Sequence, residues 1–306
     1  MAHAIQGVYS AVATPVGADA SVRLDLFENH CRALLAEGCH GLAIWGTTGE
    51  ANNFAASERQ AALEAALGFG IRGDQLLPGT SSCSVPETVA LTRHAVAHGA
   101  AACLMLPPFY YKGVGDEGLF RFYASVIEGV ADDRLKVILY NIPQVSGVPL
   151  TFELIGRLIE AFPETVVGIK DSSGSMENMT GMIDRFPGFS VLAGADSLFL
   201  PLLRAGGAGC ITATSNLRAD ALRIVWDHWR DPNRSEDVEA AHDTLVAWRD
   251  LANSNVQLPT IKAMLAKARG DDGWLHLRPP LVALNDADRE QVQAEMTRLE
   301  ASAQRQ

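Results

Sequence analysis

Lys170 is the residue of this chain whose position most clearly suggests chemistry. It ends the apolar run 166–169 and precedes the polar segment 171–174. Desolvation favours the neutral amine, which is the nucleophilic form of a lysine. The other four lysines have polar, loop-like or helical surroundings in the sequence. We predict that Lys170 is a nucleophile; the alternative is a side chain that reaches past a strand end to solvent.

A phenol and two hydroxyls follow other apolar runs. Tyr140 ends the run 137–140, and Gly46-Thr47-Thr48-Gly49 follows the run 41–45. An amine that attacks a ketone forms a protonated imine, which permits aldol cleavage, condensation or loss of a β-hydroxyl without a metal. A phenol can transfer the protons, and a threonine turn can hold a carboxylate. The three groups together predict Schiff-base chemistry on an anionic 2-oxo acid.

Eight short apolar runs alternate with amphipathic stretches over most of the chain. Runs that are apolar throughout are typical of a parallel sheet covered by helices on both faces. Eight strand-and-helix units over about 225 residues favour a closed (β/α)8 TIM barrel, an α/β fold, over an open sheet. The predicted strands are 8–13, 41–46, 76–80, 102–106, 137–140, 166–170, 191–194 and 210–214, and the intervening predicted helices include 24–37, 58–67 and 86–98.

The pattern becomes purely helical after residue 230. We therefore expect a catalytic barrel over 1–230 and a C-terminal helical extension over 231–306, with helices near 235–251, 258–267 and 286–299. In a TIM barrel the carboxyl ends of the strands surround the active site. This arrangement would bring Lys170, Tyr140 and the threonine turn to one mouth.

Composition excludes several classes of protein. A net charge of −11 argues against nucleic-acid binding, which needs a basic face. No apolar stretch approaches the roughly 18 to 20 residues of a membrane span, and no signal-peptide pattern starts the chain. Five widely spaced cysteines without a Cys-x-x-Cys pair predict reduced thiols. These features predict a cytoplasmic protein that acts on a small molecule and binds no membrane.

Three weaker signals are interpreted as structural. The segment 68–73 spells a dinucleotide-binding pattern, but it follows a helix and precedes a strand, which reverses the context that the motif requires. His94 and His98 share a helix face without a third ligand, so no metal site is predicted there. Glu50 is interpreted as a carboxylate that orders the threonine turn rather than as a general base.

Three motifs resemble the signatures of the dihydrodipicolinate synthase / N-acetylneuraminate lyase family. They are Gly46-Thr47-Thr48-Gly49-Glu50, Tyr140-Asn141-Ile142-Pro143 and Gly168-Ile169-Lys170, in the family's order and spacing. The resemblance runs from Gly7 into the C-terminal helices. It implies a class I pyruvate-dependent aldolase or lyase with no cofactor beyond the covalent imine at Lys170, no metal, and a homotetramer built as a dimer of dimers.

The resemblance also implies roles for individual residues. Lys170 matches the imine-forming lysine, Tyr140 the proton-shuttling tyrosine, and Thr47 a hydroxyl that completes the relay. Tyr111 matches a tyrosine that reaches across the dimer interface. The remaining candidates are expected to bind substrate, and they are Thr48, Gly46, Ile211, Gly194, Asp196 and Ser197.

The resemblance departs from true dihydrodipicolinate synthases at Val145. Those enzymes have an arginine there that binds the carboxylate of aspartate semialdehyde, and an aliphatic side chain cannot provide a bidentate contact. The segment is closer to neuraminate lyases and keto-deoxy sugar acid aldolases. Asp196 could bind a sugar hydroxyl, although Ser197 replaces an acidic residue of the neuraminate lyases.

The leading hypothesis is reversible aldol cleavage of a 2-keto-3-deoxy sugar acid. The first alternative is a dehydratase that eliminates water from such an acid through the same imine. The second is a 4-hydroxy-tetrahydrodipicolinate synthase, which Val145 disfavours. The third, from a different class, is a pyruvate-binding regulator without turnover, and the retention of Lys170, Tyr140 and both threonines argues against it.

Overall fold

Seven parallel strands form one sheet in the computed structural model, which describes residues 3–303. The strands are β1 (Gly7–Ala11), β2 (Gly41–Ala43), β3 (Cys103–Met105), β4 (Val137–Asn141), β5 (Val166–Asp171), β6 (Ser190–Ala193) and β7 (Gly209–Thr212). Their order in the sheet is β2-β1-β7-β6-β5-β4-β3. Apart from Val167 on β5, every strand residue is buried, as the uniformly apolar runs predicted.

The third predicted strand, 76–80, is extended but is not a regular strand, and this part of the prediction was wrong. Leu76 forms a single parallel bridge with Leu42 on one side. On the other side the amide of Leu104 donates to the carbonyl of Pro78 at 2.9 Å. Pro78 has no amide hydrogen and cannot complete a ladder. The segment still fills the gap between β2 and β3, so the predicted TIM barrel is confirmed.

Twelve α-helices surround and extend the sheet. They are α1 (Leu24–Ala36), α2 (Ala56–Gly68), α3 (Val85–Ala97), α4 (Asp116–Val130), α5 (Pro143–Ser146), α6 (Phe152–Ala161), α7 (Met176–Arg185), α8 (Phe199–Arg204), α9 (Ser215–His228), α10 (Ser235–Ala252), α11 (Gln257–Arg269) and α12 (Asp286–Ala303) within the described range. The segment 68–73 lies at the end of α2 and in the turn after it, as expected.

Alternation along the strands divides the core into two layers. Ile138, Tyr140 and Leu192 belong to a cluster inside the barrel. Their neighbours in sequence, such as Leu139 and Val191, belong to the larger cluster between the strands and the helices. Side chains on a strand alternate between its two faces, so Lys170 points inward like Tyr140.

The helices after residue 231 share a core with the barrel. Trp248 on α10 and Met264 on α11 lie in one buried cluster with Ala13 and with Leu26 of α1. The helices expected near 235–251, 258–267 and 286–299 are therefore present and packed on the barrel. The division at residue 231 stays a prediction, and residues 1, 2 and 304–306 of the two predicted domains lie outside the described residues.

Candidate active site at the barrel mouth

Lys170 is a buried lysine with no polar partner. Its side chain is on β5, and the residue is only 4% exposed. Within residues 3–303 its Nζ forms no hydrogen bond and no ion pair. All four other lysines donate to a backbone carbonyl, and they are Lys112, Lys136, Lys262 and Lys267. The side chain of Lys170 thus stays inside the barrel, contrary to the solvent-reaching alternative, and its amine is free to react.

Tyr140 lies directly beside this amine. The two residues are register partners on the adjacent strands β4 and β5. The Nζ of Lys170 lies 4.3 Å from the centroid of the Tyr140 ring. The hydroxyl of Tyr140 is 3.2 Å from the Oγ1 of Thr47. The lysine, the phenol and the threonine, which are far apart in sequence, therefore form the continuous group that the sequence predicted.

The turn that carries Thr47 and Thr48 is tightly packed against the barrel. A Cβ added to Gly49 would lie 2.9 Å from the amide nitrogen of Trp45, so only glycine fits there. The carbonyl of Gly49 accepts a hydrogen bond from the Oγ1 of Thr14 at 2.9 Å. Thr48 is buried, and Thr47 is partly exposed. The packing fixes the backbone of the turn that carries both threonines.

Glu50 anchors the end of this turn through a buried ion pair that the sequence did not predict. Its Oε1 lies 2.5 Å from the Nζ of Lys262 on α11. Both residues are at most 4% exposed. Burial lowers the pKa of Lys262, and Glu50 opposes that shift. The interpretation of Glu50 as a carboxylate that orders the turn agrees with this contact. The helical surroundings of Lys262 in the sequence did not indicate this pairing.

Arg278 ties the residues after Glu50 to the C-terminal part of the chain. Its guanidinium donates to Glu58 at 2.5 Å and to the carbonyl of Asn53 at 2.8 Å. It also lies 3.9 Å from the centroid of the Phe54 ring. The sequence signal that could have drawn attention to this region is Lys262 itself, which stands inside the apolar stretch 258–266.

A narrow cavity opens beside Thr47 and Tyr140 at the barrel mouth. Its wall also contains the predicted residue Gly46. Four further wall residues were not predicted from the sequence, and they are Asn52, Ser81, Leu104 and Leu106. Lys170 is not part of this wall and meets the cavity through its contact with Tyr140. Polar groups and leucine side chains therefore surround a small space next to the reactive group.

The predicted substrate-binding residues after β6 differ in burial and in packing. Gly194 packs closely, since an added Cβ would lie 1.9 Å from the Oγ of Ser172. Ser197 is partly exposed. Asp196 is fully buried, and its Oδ2 accepts a hydrogen bond from Thr214 at 2.8 Å. Burial raises the pKa of Asp196, and the predicted contact of this residue with a sugar hydroxyl stays a prediction.

Two further candidates occupy opposite extremes of exposure. Ile211 on β7 is fully buried inside the barrel. Tyr111 is 73% exposed, and its ring contacts that of Tyr110 edge to face at 5.2 Å. Lys112 joins this loop to α5 by donating to the carbonyls of Phe109 and Ser146. The structure therefore presents two aromatic rings at the surface next to the segment that carries Val145.

The family assignment follows from comparison with known proteins. A sequence model described as the dihydrodipicolinate synthetase family matches residues 4–299. The chain belongs to this family. The prediction of the family is thereby confirmed, and as a member the protein is a lyase of the class I aldolase type.

Similar proteins of this family carry several names. An uncharacterized DapA-like lyase from Chloroflexus aurantiacus is 34% identical over 298 residues, which cover 97% of each chain. The crystal structure of dihydrodipicolinate synthase from Agrobacterium tumefaciens is 30% identical, with a TM-score of 0.86 over 96% of this chain and 99% of that chain. A prophage protein of the family from E. coli, crystallised in complex with pyruvate, is 26% identical, with a TM-score of 0.87 over 96% and 98% of the two chains.

Helix length and composition bear on the predicted absence of a membrane segment. Among residues 3–303, none of the helices combines the length and the apolar composition that a bilayer crossing requires.

Proposed function

We propose that the protein cleaves a 2-keto-3-deoxy sugar acid reversibly through an imine at Lys170. The observation that carries the proposal is the unpartnered, buried amine of Lys170 next to the linked hydroxyls of Tyr140 and Thr47. A lysine amine held beside a phenol in this way is the nucleophile that imine formation with a ketone needs. No cofactor is required, because the imine itself accepts the electron pair.

The proposed reaction balances with the groups at the mouth. The Lys170 nitrogen attacks the ketone carbon, and Tyr140 gives a proton to the carbinolamine oxygen, which leaves as water. In the resulting imine, the Tyr140 phenolate takes the proton of the C4 hydroxyl of the substrate while the bond between C3 and C4 breaks, which releases an aldehyde and leaves an enamine. Protonation of the enamine and hydrolysis of the imine then release pyruvate.

The threonine turn is assigned to the carboxylate of the 2-oxo acid. Thr48, Gly46 and the backbone N–H groups of this tight turn offer hydrogen-bond donors in a fixed direction. Thr47 is assigned to the proton relay, because its Oγ1 is within hydrogen-bond distance of the Tyr140 hydroxyl. Ile211, Gly194, Asp196 and Ser197 are assigned to the wall that faces the rest of the substrate.

We also propose that the protein is a dimer of dimers in which Tyr111 completes the site of a neighbouring subunit. Tyr110 and Tyr111 are each 73% exposed, and Val114 on the same loop is 39% exposed. Aromatic side chains of this kind are enriched in interfaces between subunits. The hydroxyl of Tyr111 would extend the relay formed by Thr47 and Tyr140.

The preference for a sugar acid rests on Val145. Val145 lies on α5, which follows the strand that carries Tyr140, and it is 64% exposed. Its aliphatic side chain offers no hydrogen-bond donor to a second carboxylate. The second candidate is 4-hydroxy-tetrahydrodipicolinate synthesis, which the name of the Agrobacterium relative favours. A dehydratase would use the same imine and differ only in which bond breaks.

Comparison of turnover on defined substrates tests the proposal. The protein should release pyruvate from several keto-deoxy sugar acids, and aspartate semialdehyde plus pyruvate should give little product. Lys170→Ala should abolish turnover, while Lys136→Ala, which removes an exposed lysine, should leave it unchanged. Rapid condensation with aspartate semialdehyde would establish the second candidate. Pyruvate binding without turnover on any of these substrates would indicate the regulator.

A further inference from the structure

A group of metal-binding side chains lies on α2 and α3, away from the strand ends that carry Lys170 and Tyr140. His94 and His98 are four residues apart on α3, and their ring centroids lie 4.3 Å apart. Glu64 on α2 accepts a hydrogen bond from the Nε2 of His94 at 2.8 Å. The possible ligand atoms of the three residues all lie within 4.8 Å of one another. The third ligand that the sequence did not reveal is therefore supplied by the neighbouring helix.

We propose that Glu64, His94 and His98 bind one divalent transition-metal ion, such as Zn²⁺, which links α2 to α3. Two imidazoles and a carboxylate suit zinc and its neighbours, whereas Mg²⁺ and Ca²⁺ prefer oxygen ligands throughout. Bond lengths of about 2.0 Å place the ligands of a tetrahedral zinc site about 3.3 Å apart. The present ligand atoms lie within 4.8 Å of one another, so binding requires rotation of these side chains toward the ion, and water completes the coordination.

The hydrogen bonds of the group leave suitable lone pairs for a metal. The Nδ1 of His98 donates to the carbonyl of His94 at 2.8 Å, so its Nε2 is the free ligand atom. The side chain of His94 is 16% exposed and held between the helices, while that of Glu64 is 56% exposed. Metal binding selects the His94 tautomer with hydrogen on Nδ1, so that its Nε2 can bind the ion. The present hydrogen bond from the Nε2 of His94 to Glu64 is then lost.

Titration of the purified protein, treated with a chelator and dialysed, tests this site. Zn²⁺ measured by calorimetry and Co²⁺ measured by visible absorption should each bind at one ion per chain and raise the melting temperature. His94→Ala and His98→Ala should weaken binding more than about 100-fold, and Glu64→Gln by about 10-fold to 100-fold. Circular dichroism checks that each variant is folded.

Matched controls distinguish binding at this site from binding by other histidine or cysteine side chains. His228→Ala removes a histidine elsewhere, and Cys83→Ser removes the exposed thiol, so neither should change the affinity. Pyruvate release by His94→Ala should equal that of the unaltered protein, because the three ligands lie outside the proposed active site. If His94→Ala and His98→Ala bound zinc as tightly as the unaltered protein, or if the unaltered protein did not bind at millimolar Zn²⁺, the proposal would be overturned.

Discussion

Two buried lysines in this chain have opposite surroundings. Lys262 has the carboxylate of Glu50 at 2.5 Å and donates to the carbonyl of His276 at 3.0 Å. Lys170 has only the face of the Tyr140 ring at 4.3 Å, which is a much weaker partner for a charge. A paired ammonium is a structural group, whereas an unpaired amine can attack a carbonyl. This contrast at the scale of single residues supports the proposal that Lys170 is the nucleophile.

The Tyr140 hydroxyl should matter to the reaction and little to the fold. Tyr140→Phe keeps the ring that packs against Lys170 and removes only the group that contacts Thr47. We expect turnover to fall by about 10²-fold to 10⁴-fold, as is typical for the loss of a proton-transfer group. The measurement is steady-state release of pyruvate, with the melting temperature as a check on folding.

A second variant tests whether the two hydroxyls act as one relay. Thr47→Val should reduce turnover as well, and combining it with Tyr140→Phe should cost much less than the product of the two single effects. Tyr110→Phe is a matched control, because it keeps the exposed ring next to Tyr111 and removes a hydroxyl that has no assigned role in the relay. Turnover of Tyr140→Phe equal to that of the parent would remove Tyr140 from the mechanism.

The reactive residues could be predicted because each ends an apolar run. Lys170, Tyr140 and the threonine turn stand out where a sequence otherwise lacks polar groups, and a parallel barrel brings such ends together. Glu50 and Lys262 are separated by 212 positions in the chain, so their pairing depends on packing that no local pattern reports. For the same reason the sequence indicated only His94 and His98 of the proposed metal site, because Glu64 lies on a different helix.

Strand β5 shows how one element separates reactive from structural side chains. Lys170 points into the barrel, and the next residue, Asp171, is buried outside it and accepts a hydrogen bond from the amide of Ser173 at 2.6 Å. The Nδ2 of Asn178 on α7 also donates to Asp171. The same strand end therefore carries the proposed nucleophile on one face and fixes the following loop on the other.

Gly168 should be required for the close approach of β5 to β6. A Cβ at this position would lie 2.5 Å from the carbonyl oxygen of Ser190 and 2.7 Å from its Cβ. We expect Gly168→Ala to lower the free energy of unfolding by about 1–3 kcal/mol, because overpacking forces backbone shifts. Chemical denaturation measures the change.

Gly118→Ala provides the comparison for this strand. Gly118 is on α4, and an added Cβ would meet nothing within 4 Å. Alanine there should be neutral or slightly stabilising, since it favours the helix. If Gly168→Ala were as stable as Gly118→Ala, the close contact between β5 and β6 would not constrain the strand.

The elements were predicted well wherever local pattern and packing agree. The amphipathic stretch 24–37 forms α1 over Leu24–Ala36, and the stretch 258–267 forms α11 over Gln257–Arg269. The run 76–80 failed as a regular strand because Pro78 interrupts the ladder. Arg59 compensates in part by donating to the carbonyls of Gly79 and Ser81, which an apolar pattern cannot show.

The C-terminal helices belong to the architecture of the active site at the scale of the whole molecule. Lys262 on α11 holds Glu50, and Arg278 holds Glu58, so two cations from the extension fix the segment after the threonine turn. Trp274 packs into the cluster that joins α11 to the barrel. Loss of these contacts would free the turn that carries Thr47 and Thr48.

Replacing Lys262 should therefore destabilise the fold and impair the reaction. Lys262→Met leaves Glu50 buried without its cation, which typically costs about 3–5 kcal/mol of unfolding free energy. We expect pyruvate release to fall as well, because the threonine turn loses its anchor. Adding Glu50→Gln to Lys262→Met should recover part of the stability. Lys267→Met, at a partly exposed position on the same helix, is the control, and equal stability of Lys262→Met and Lys267→Met would contradict the anchoring role.

Covalent trapping at Lys170 tests the central claim most directly. The protein is incubated with pyruvate and borohydride, its intact mass is measured, and the modified peptide is mapped. The account predicts one reduced pyruvyl adduct per chain, located on Lys170, retained in Lys136→Ala and absent in Lys170→Ala. An adduct on another lysine, or none at saturating pyruvate, would contradict it.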